Sequence, residues 1–332
     1  MPTSVQLLEK LQAHFTDPQL YKRETVQSLW SGYGEIARYF SPKTDRSLIV
    51  KCISPPSQQA HPRGWNTQAS HIRKLQSYKV EAHFYRHYAS QCDELCKVPK
   101  LITDFCLGEQ QVLVLEDLNS VGFSVRKSAG NLEDVALGIK WLAYFHARFM
   151  QTSGDGLWPI GSYWHLATRQ DEFTVMQNSE LKTNANVIDE RLNQANFKTL
   201  VHGDAKLANF CLADEQSVNQ LAAVDFQYVG VGMGVKDLAY FLGACFDQEA
   251  LFKHEESILN LYFSELQKAC ECYQADVDFT LLENEWRTLY CFAWADFYRF
   301  LLGWAPDHYK INPYMQHQTQ TVFAQLDKRS LF

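Results

Sequence analysis

The feature that most restricts the fold is a change of periodicity partway along the chain. After an N-terminal helical segment, apolar residues up to residue 118 fall into short runs rich in β-branched and aromatic side chains: 22–30, 35–40, 47–53, 100–107 and 111–118. Runs of this kind, separated by Gly or by Pro-Lys-Thr-Asp, predict a small antiparallel sheet. One helical pattern interrupts them. Ile72, Leu75, Tyr78, Ala82, Tyr85 and Ala89 recur every three or four positions over residues 71–90, the spacing of one helix face. Residues 54–70, rich in Pro, Gln and Ser, read as a loop or an insertion.

Beyond Asn119 helical periodicity takes over. Asn131 is suited to cap a helix carrying Leu132, Val135, Ile139, Leu142 and Phe149. Residues 171–195, 235–248, 250–274, 278–303 and 313–328 also read as helices, with one β island at 199–225. The expected fold class is therefore α+β. A small antiparallel sheet with one helix occupies residues 1–118, and a larger, mainly helical body occupies residues 119–332.

Charge and composition narrow the function. A net charge of -7 and a pI near 5.9, with no dense Lys/Arg run, argue against nucleic acid as a partner. The most apolar stretch, 286–304, contains Arg287, Asp296 and Arg299, which excludes an ordinary membrane span. The first twenty residues lack the apolar core of a signal peptide. Nine cysteines, an odd number, fit reduced thiols better than a disulfide framework. A soluble, cytoplasmic protein is expected.

Chemistry concentrates in the β island. The segment TLVHGDAKLANFCL leads through a turn at 214–219 into QLAAVDFQ, the pattern of a strand, a tight loop and a hairpin. Asn209 and Asp225 each lie eight residues from Ser217, which predicts that they face each other at the open end of the hairpin. An Asp carboxylate and an Asn carbonyl are hard oxygen ligands of the type magnesium takes alongside phosphate oxygens and water. Asp204, just before that end, is placed to take a proton from an attacking hydroxyl, and Lys206 to offset charge on a transferred phosphoryl group. Taken singly, each is an ordinary turn or strand-end residue. Taken together they spell H-x-D-x-K-x-x-N followed, after one hairpin, by D-F.

That spacing matches the catalytic-loop and metal-binding signature of kinases. With Asp237-Leu238-Ala239-Tyr240-Phe241-Leu242 and the stretch LVLEDLNSVGF at 113–123, the chain resembles the aminoglycoside phosphotransferase and choline kinase branch of the protein-kinase-like superfamily, and most of all its ecdysteroid-kinase-like group. The resemblance implies a bilobal kinase-like fold, with a nucleotide-binding N-lobe at 1–118 and a catalytic, acceptor-binding C-lobe at 119–332. It implies ATP and Mg2+ as cofactors and a small-molecule hydroxyl as acceptor. Asp204 would act on that hydroxyl, Asn209 and Asp225 would hold magnesium, and His202 and Asp237 would brace the loop without touching substrate.

In the N-lobe the resemblance implies a strand lysine paired with a helix glutamate. Lys51 is the lysine within an apolar strand pattern there, and Glu81 sits beside the apolar face of the 71–90 helix. Ser31, Gly32 and Gly34 would cover the phosphates, although two glycines are fewer than a full glycine-rich loop, and a plain hairpin turn explains them as well. Backbone atoms of Glu116 and Leu118 would meet adenine. Lys206 matches the protein-kinase pattern instead of the small-molecule one, but no A-P-E element or activation segment lies between Asp225 and Asp237.

Three other readings stay open: a protein Ser/Thr kinase, a catalytically silent nucleotide-binding regulator, and a zinc site. The last draws on His83, His87, Cys92 and Cys96, whose spacing suits tetrahedral coordination while buried thiols explain the same residues. The helical stripe Trp286, Tyr290, Trp294 and Phe297/Tyr298, with Asp296, suits either a cation-binding acceptor pocket or plain core packing.

Overall fold

A computed structural model describes residues 4–29, 32–55, 68–127, 129–213 and 220–329. Of the expected features, Trp30, Ser31, most of the 54–70 loop and the 214–219 turn lie outside the described residues. The α+β architecture is present. The chain forms two compact units, one made of Met1–Gln91, Val98–Val125 and Cys211–Ala222, the other of Cys92–Lys97, Arg126–Phe210 and Ala223–Phe332.

The first unit is built on a five-stranded antiparallel sheet of β1 (Tyr21–Ser28), β2 (Gly34–Ser41), β3 (Arg46–Ile53), β4 (Leu101–Leu107) and β5 (Gln110–Glu116), in the order β1-β2-β3-β5-β4. Alternation shows along β2, where Ala37, Tyr39 and Ser41 are buried and their neighbours are less so. Helix α1 (Ser4–Phe15) sets Leu7 and Leu11, four residues apart and so on one face, into a core with Leu20, Tyr39, Val50, Val112 and Val114. Helix α2 (Gln68–His87) starts three residues earlier than periodicity predicts. It adds Tyr78 to a second cluster with Leu29, Tyr33 and Ile53, whereas Ile72 points to solvent.

In the second unit, α3 (Leu132–Arg148) opens with the expected cap. The Asn131 side chain accepts from the Asp134 amide and Asp134 returns a bond to the Asn131 amide, a reciprocal capping box. The predicted 171–195 helix is instead two, α4 (Gln170–Val175) and α5 (Glu180–Asn193). Ser179 breaks it by turning extended and capping α5 through the Lys182 amide.

The β island holds β6 (Thr199–Val201), β7 (Phe210–Leu212) and β8 (Leu221–Ala223), but it extends further than expected. A fourth strand, β9 (Gly230–Gly232), pairs antiparallel with β6. Its Gly-Val-Gly composition hides it from β-propensity. The glycine is required: a Cβ at Gly230 would lie 2.2 Å from the Trp158 carbonyl oxygen, because Trp158 bridges to this strand.

Helices α6 (Gly234–Cys245), α7 (Gln248–Tyr273), α8 (Phe279–Trp304) and α9 (Pro313–Arg329) complete the unit. α3 packs against α6 and α7, and α8 packs against α4, α5, α6 and α9. This central position of α8 answers the question of its aromatic stripe. Trp286, Tyr290, Trp294 and Phe297 are buried, and core packing accounts for the periodicity. No helix among the described residues is long and apolar enough to cross a membrane.

Candidate active site

The segment read as a catalytic loop from the sequence lies between β6 and β7, and a buried carboxylate holds its backbone. Asp237, on the first turns of α6 and fully buried, accepts the His202 amide through Oδ2 and the Gly203 amide through Oδ1 at 2.9 Å. His146 of α3 places Nε2 3.2 Å from the same carboxylate and Nδ1 2.8 Å from the Tyr262 hydroxyl. Two loop amides that would otherwise lack partners are thereby satisfied by a charge, among the stronger kinds of hydrogen bond. Gly203 turns the chain at φ 79°, where a Cβ would meet the Tyr228 carbonyl oxygen at 2.2 Å. The His202 ring accepts from the Asp204 amide at Nδ1, so its proton sits on Nε2 and is donated to the Val224 carbonyl, 3.0 Å away. His202 thus ties the loop to the end of β8.

Asp204 emerges from this braced turn almost buried, with both carboxylate oxygens engaged. Tyr240 donates to Oδ1 at 2.9 Å; Lys206 at 2.8 Å and the Asn209 amide nitrogen at 3.2 Å reach Oδ2. Burial opposes a charge on Lys206, yet the adjoining Asp204 carboxylate prevails and holds its pKa above the ordinary range. Burial, reinforced by the same carboxylate, raises Tyr240 well above the usual phenol range, so it remains a donor.

Asn209 ends the short 3-10 turn Leu207–Asn209, and its Nδ2 also donates to the Asp204 carbonyl at 2.9 Å. Both neighbours of this amide are acceptors, so the nitrogen must face them and Oδ1 points elsewhere. The Val224 amide donates to the Asn209 carbonyl, and the Ala213 amide to that of Gln220. The ladder therefore pairs Asn209 with Val224, one residue short of the expected facing position of Asp225. Asp225 has left the strand with φ 70°, and its Oδ1 accepts from Gln227.

The oxygen donors of Asn209 and Asp225 fit magnesium in kind, hard ligands too few to satisfy the ion without phosphate and water. No group of three or more His, Cys, Asp or Glu side chains suited to a metal gathers among the described residues.

In the first unit, Lys51 on β3 and Glu81 on α2 form an ion pair with Nζ 2.7 Å from Oε2 and 2.9 Å from Oε1. Both side chains are buried, so Glu81 is no solvated helix charge. Gly32 and Gly34 both have positive φ, 74° and 126°. They differ in what surrounds them: a Cβ at Gly34 would lie 2.0 Å from the Cys52 carbonyl oxygen, and one at Gly32 would meet nothing within 4 Å among the described residues. At the end of β5 the Glu116 amide donates to Lys100, and the Leu118 carbonyl accepts from Phe123 at the close of a 3-10 turn capped by Asp117. Arg38 reaches the same Asp117 at 2.6 Å.

Three residues of the second unit's site escaped the sequence reading. Tyr240 was visible within the motif but had no assigned role. Tyr163 packs edge-on to the Tyr240 ring, with centroids 5.5 Å apart. Lys310, in the link between α8 and α9, holds Nζ 4.6 Å from the centroid of the Tyr240 ring. No periodicity or spacing marks a loop lysine of this kind.

Residues 162–274 match the model of the ecdysteroid kinase-like family, in keeping with the resemblance read from the catalytic-loop motif. The matched segment runs from just before Tyr163 to the end of α7. No curated protein matches the chain. Among solved structures, an amicoumacin kinase in complex with AMP-PNP and Ca2+ is 14% identical, covering 99% of this chain and 94% of that one at a TM-score of 0.47. A microcompartment-associated aminopropanol kinase is 12% identical over 95% and 93% at 0.48. A Plasmodium vivax ethanolamine kinase is 9% identical over 97% and 89% at 0.48. Likenesses this distant assign no activity to the chain.

Proposed function

We propose that this protein is a phosphotransferase that moves the γ-phosphoryl group of magnesium-bound ATP to the hydroxyl of a small molecule. The observation that carries the reading is the three-point hold on Asp204 by Tyr240, Lys206 and Asn209, which leaves the Asn209 carbonyl oxygen turned away from the pair.

Asp204 orients the acceptor hydroxyl and takes its proton as the acceptor oxygen forms a bond to the γ-phosphorus; the bond from that phosphorus to the bridging oxygen breaks and ADP leaves with the electron pair. Lys206, cationic and beside Asp204, offsets the charge that spreads over the moving group. Magnesium held by Asn209 and Asp225 would neutralise phosphate oxygens. In the first unit, the Lys51 ammonium, fixed by Glu81, is the group assigned to nucleotide phosphates, with Gly32, Gly34, Glu116 and Leu118 assigned to the nucleotide through their backbone.

The test is transfer of labelled γ-phosphate to a panel of small alcohols, with and without magnesium, by the intact chain and by Asp204→Ala. The reading expects transfer that disappears in the variant while it still folds and melts cooperatively; equal transfer by both proteins would overturn it. Magnesium-ATP at about 100 times its dissociation constant should add roughly 2.7 kcal/mol of stability.

A silent nucleotide-binding regulator is favoured by one observation. Gly34 has a structural reason of its own in its contact with Cys52, so it need not serve phosphate. That reading expects stabilisation by ATP with no acceptor-dependent ADP release. Cytoplasmic location is part of the proposal, and small alcohols are preferred to protein acceptors because no activation segment separates Asp225 from α6.

A further inference from the structure

Two ammonium groups act on the surroundings of Asp204, and the transfer chemistry does not exhaust their role. Lys206 is paired with Asp204. Lys310 forms no ion pair among the described residues. Its ammonium is held instead by aromatic faces, 4.6 Å from the Tyr240 ring centroid and 5.9 Å from that of Phe297. The hydroxyl of that same Tyr240 reaches Asp204, so one tyrosine spans the distance between the carboxylate and this second ammonium.

Behind the aromatic wall the balance is again positive. Lys236 and Arg299, both buried, share the single carboxylate of Asp296, at 3.7 Å and 2.8 Å. Arg299 also donates to the Trp164 carbonyl at 2.8 Å, and Lys236 lies 5.7 Å from the centroid of the Trp164 ring, which packs on Tyr240. Burial opposes ionisation of Asp296, yet Arg299 and Lys236 together hold its pKa below the usual range, so it stays an anion between two cations. Each of these carboxylates already faces donors or cations: Asp204 its three donors, Asp237 the loop amides, Asp296 Arg299 and Lys236. An ammonium on an acceptor would meet the repulsion of Lys310 and Lys206. An anion would meet a cation already stripped of competing partners.

We propose that Lys310 binds the acceptor through a negatively charged group, so that the acceptor is a small alcohol carrying an anion such as a carboxylate, and not an amino alcohol. This rests on the phosphotransferase reading and adds to it the charge of the substrate. Burial pushes the Lys310 ammonium down to about 8, against the opposing pull of Asp204, so the group is mostly cationic at neutral pH and gains from an anionic partner.

The experiment compares kcat/KM for acceptors matched in size and differing in charge: glycerate, glycerol and 3-aminopropane-1,2-diol, then gluconate, sorbitol and glucosamine. In each set the anion should be preferred. Lys310→Met should raise KM for the anion roughly 10- to 100-fold, the worth of one hydrogen bond to a charged group, with kcat and the neutral acceptor's KM little changed. Lys310→Arg should restore most of the anion's KM. Melting temperatures of both variants confirm the fold, which loses no ion pair in either.

Faster turnover of the amino alcohols, or a Lys310→Met effect equal across the three charges, overturns the charge assignment while leaving the phosphotransferase intact. Transfer to no member of either set, although magnesium-ATP still stabilises the protein, removes transferase and charge assignment together.

Discussion

The Tyr240 hydroxyl donates to Oδ1 of Asp204 at 2.9 Å, so that a residue of α6 fixes the orientation of a carboxylate in the loop after β6. Because burial and Asp204 both push the tyrosine's pKa up, it acts as a donor throughout the working pH range. Tyr240→Phe should therefore preserve the fold and lower kcat by roughly 10- to 100-fold, the worth of a hydrogen bond to a charged group. The check is a kcat against KM comparison at pH 7 and pH 9; a defect present at pH 7 that fades at pH 9 would mean that the hydroxyl titrates within this range and does not stay a donor.

Lys51 and Glu81 are nearly sealed from solvent. Lys51→Met strands a buried carboxylate, and the expected loss is about 3–5 kcal/mol. Adding Glu81→Gln should recover a large part of it. Urea unfolding of the two single variants and the double variant measures the coupling; additive losses would show that the two side chains do not act as a pair.

The two glycines before and at the start of β2 separate packing from ligand binding. Gly34→Ala drives a Cβ into the Cys52 carbonyl and should cost about 1–3 kcal/mol from steric overlap, with a further penalty for φ 126°. Gly32→Ala meets no atom of the described residues and should cost roughly 1–2 kcal/mol from its left-handed backbone. If the turn covers phosphates, Gly32→Ala weakens magnesium-ATP binding by more than its stability loss explains, which calorimetric titration would register.

The affinity for an anionic acceptor should fall as pH rises through about 8. Lys310 is cationic below that value and neutral above it, because burial lowers its pKa, Asp204 opposes the shift and Lys206 adds to it. Cys245, the other group acting on it, is itself pushed up to about 12 by burial and stays neutral. KM for glycerate measured from pH 6.5 to 9.5, with glycerol as the control, should show a rise for the first and a flat line for the second.

Much of this arrangement is readable from local pattern. The Asn131 cap follows from side-chain type beside a periodic run; the pairing of Lys51 with Glu81 was implied by the family resemblance, and local pattern only selected which lysine and which glutamate. Asp237 already suggested a brace, and its two bonds to the loop amides supply the mechanism. Most of the misses depend on contacts distant in sequence.

β9 is a strand because β6 and Trp158 receive it, not because Gly-Val-Gly prefers that shape. The hairpin register differs by one residue from the expected one, pairing Asn209 with Val224 and Ala213 with Gln220, and nothing in the alternation of residues 209–225 decides between the two. Asp296 looked like a free anion on an aromatic helix face, and Arg299, one turn on, together with Lys236 from α6 removes that freedom. The break at Ser179 was the one miss with a local signal, since serine followed by glutamate marks a helix start.

Consecutive residues at the start of α6 carry opposite charges to opposite destinations: Lys236 to the carboxylate of α8, Asp237 to the amides of the loop after β6. Were the helix to slide by a single position, an ammonium would stand beneath two amide protons and a carboxylate would leave them unsatisfied. Attraction would become repulsion at the place where nothing can be hydrated away. The pair therefore works as a two-character checksum, admitting one alignment of α6 and rejecting its neighbours before Tyr240 ever reaches Asp204.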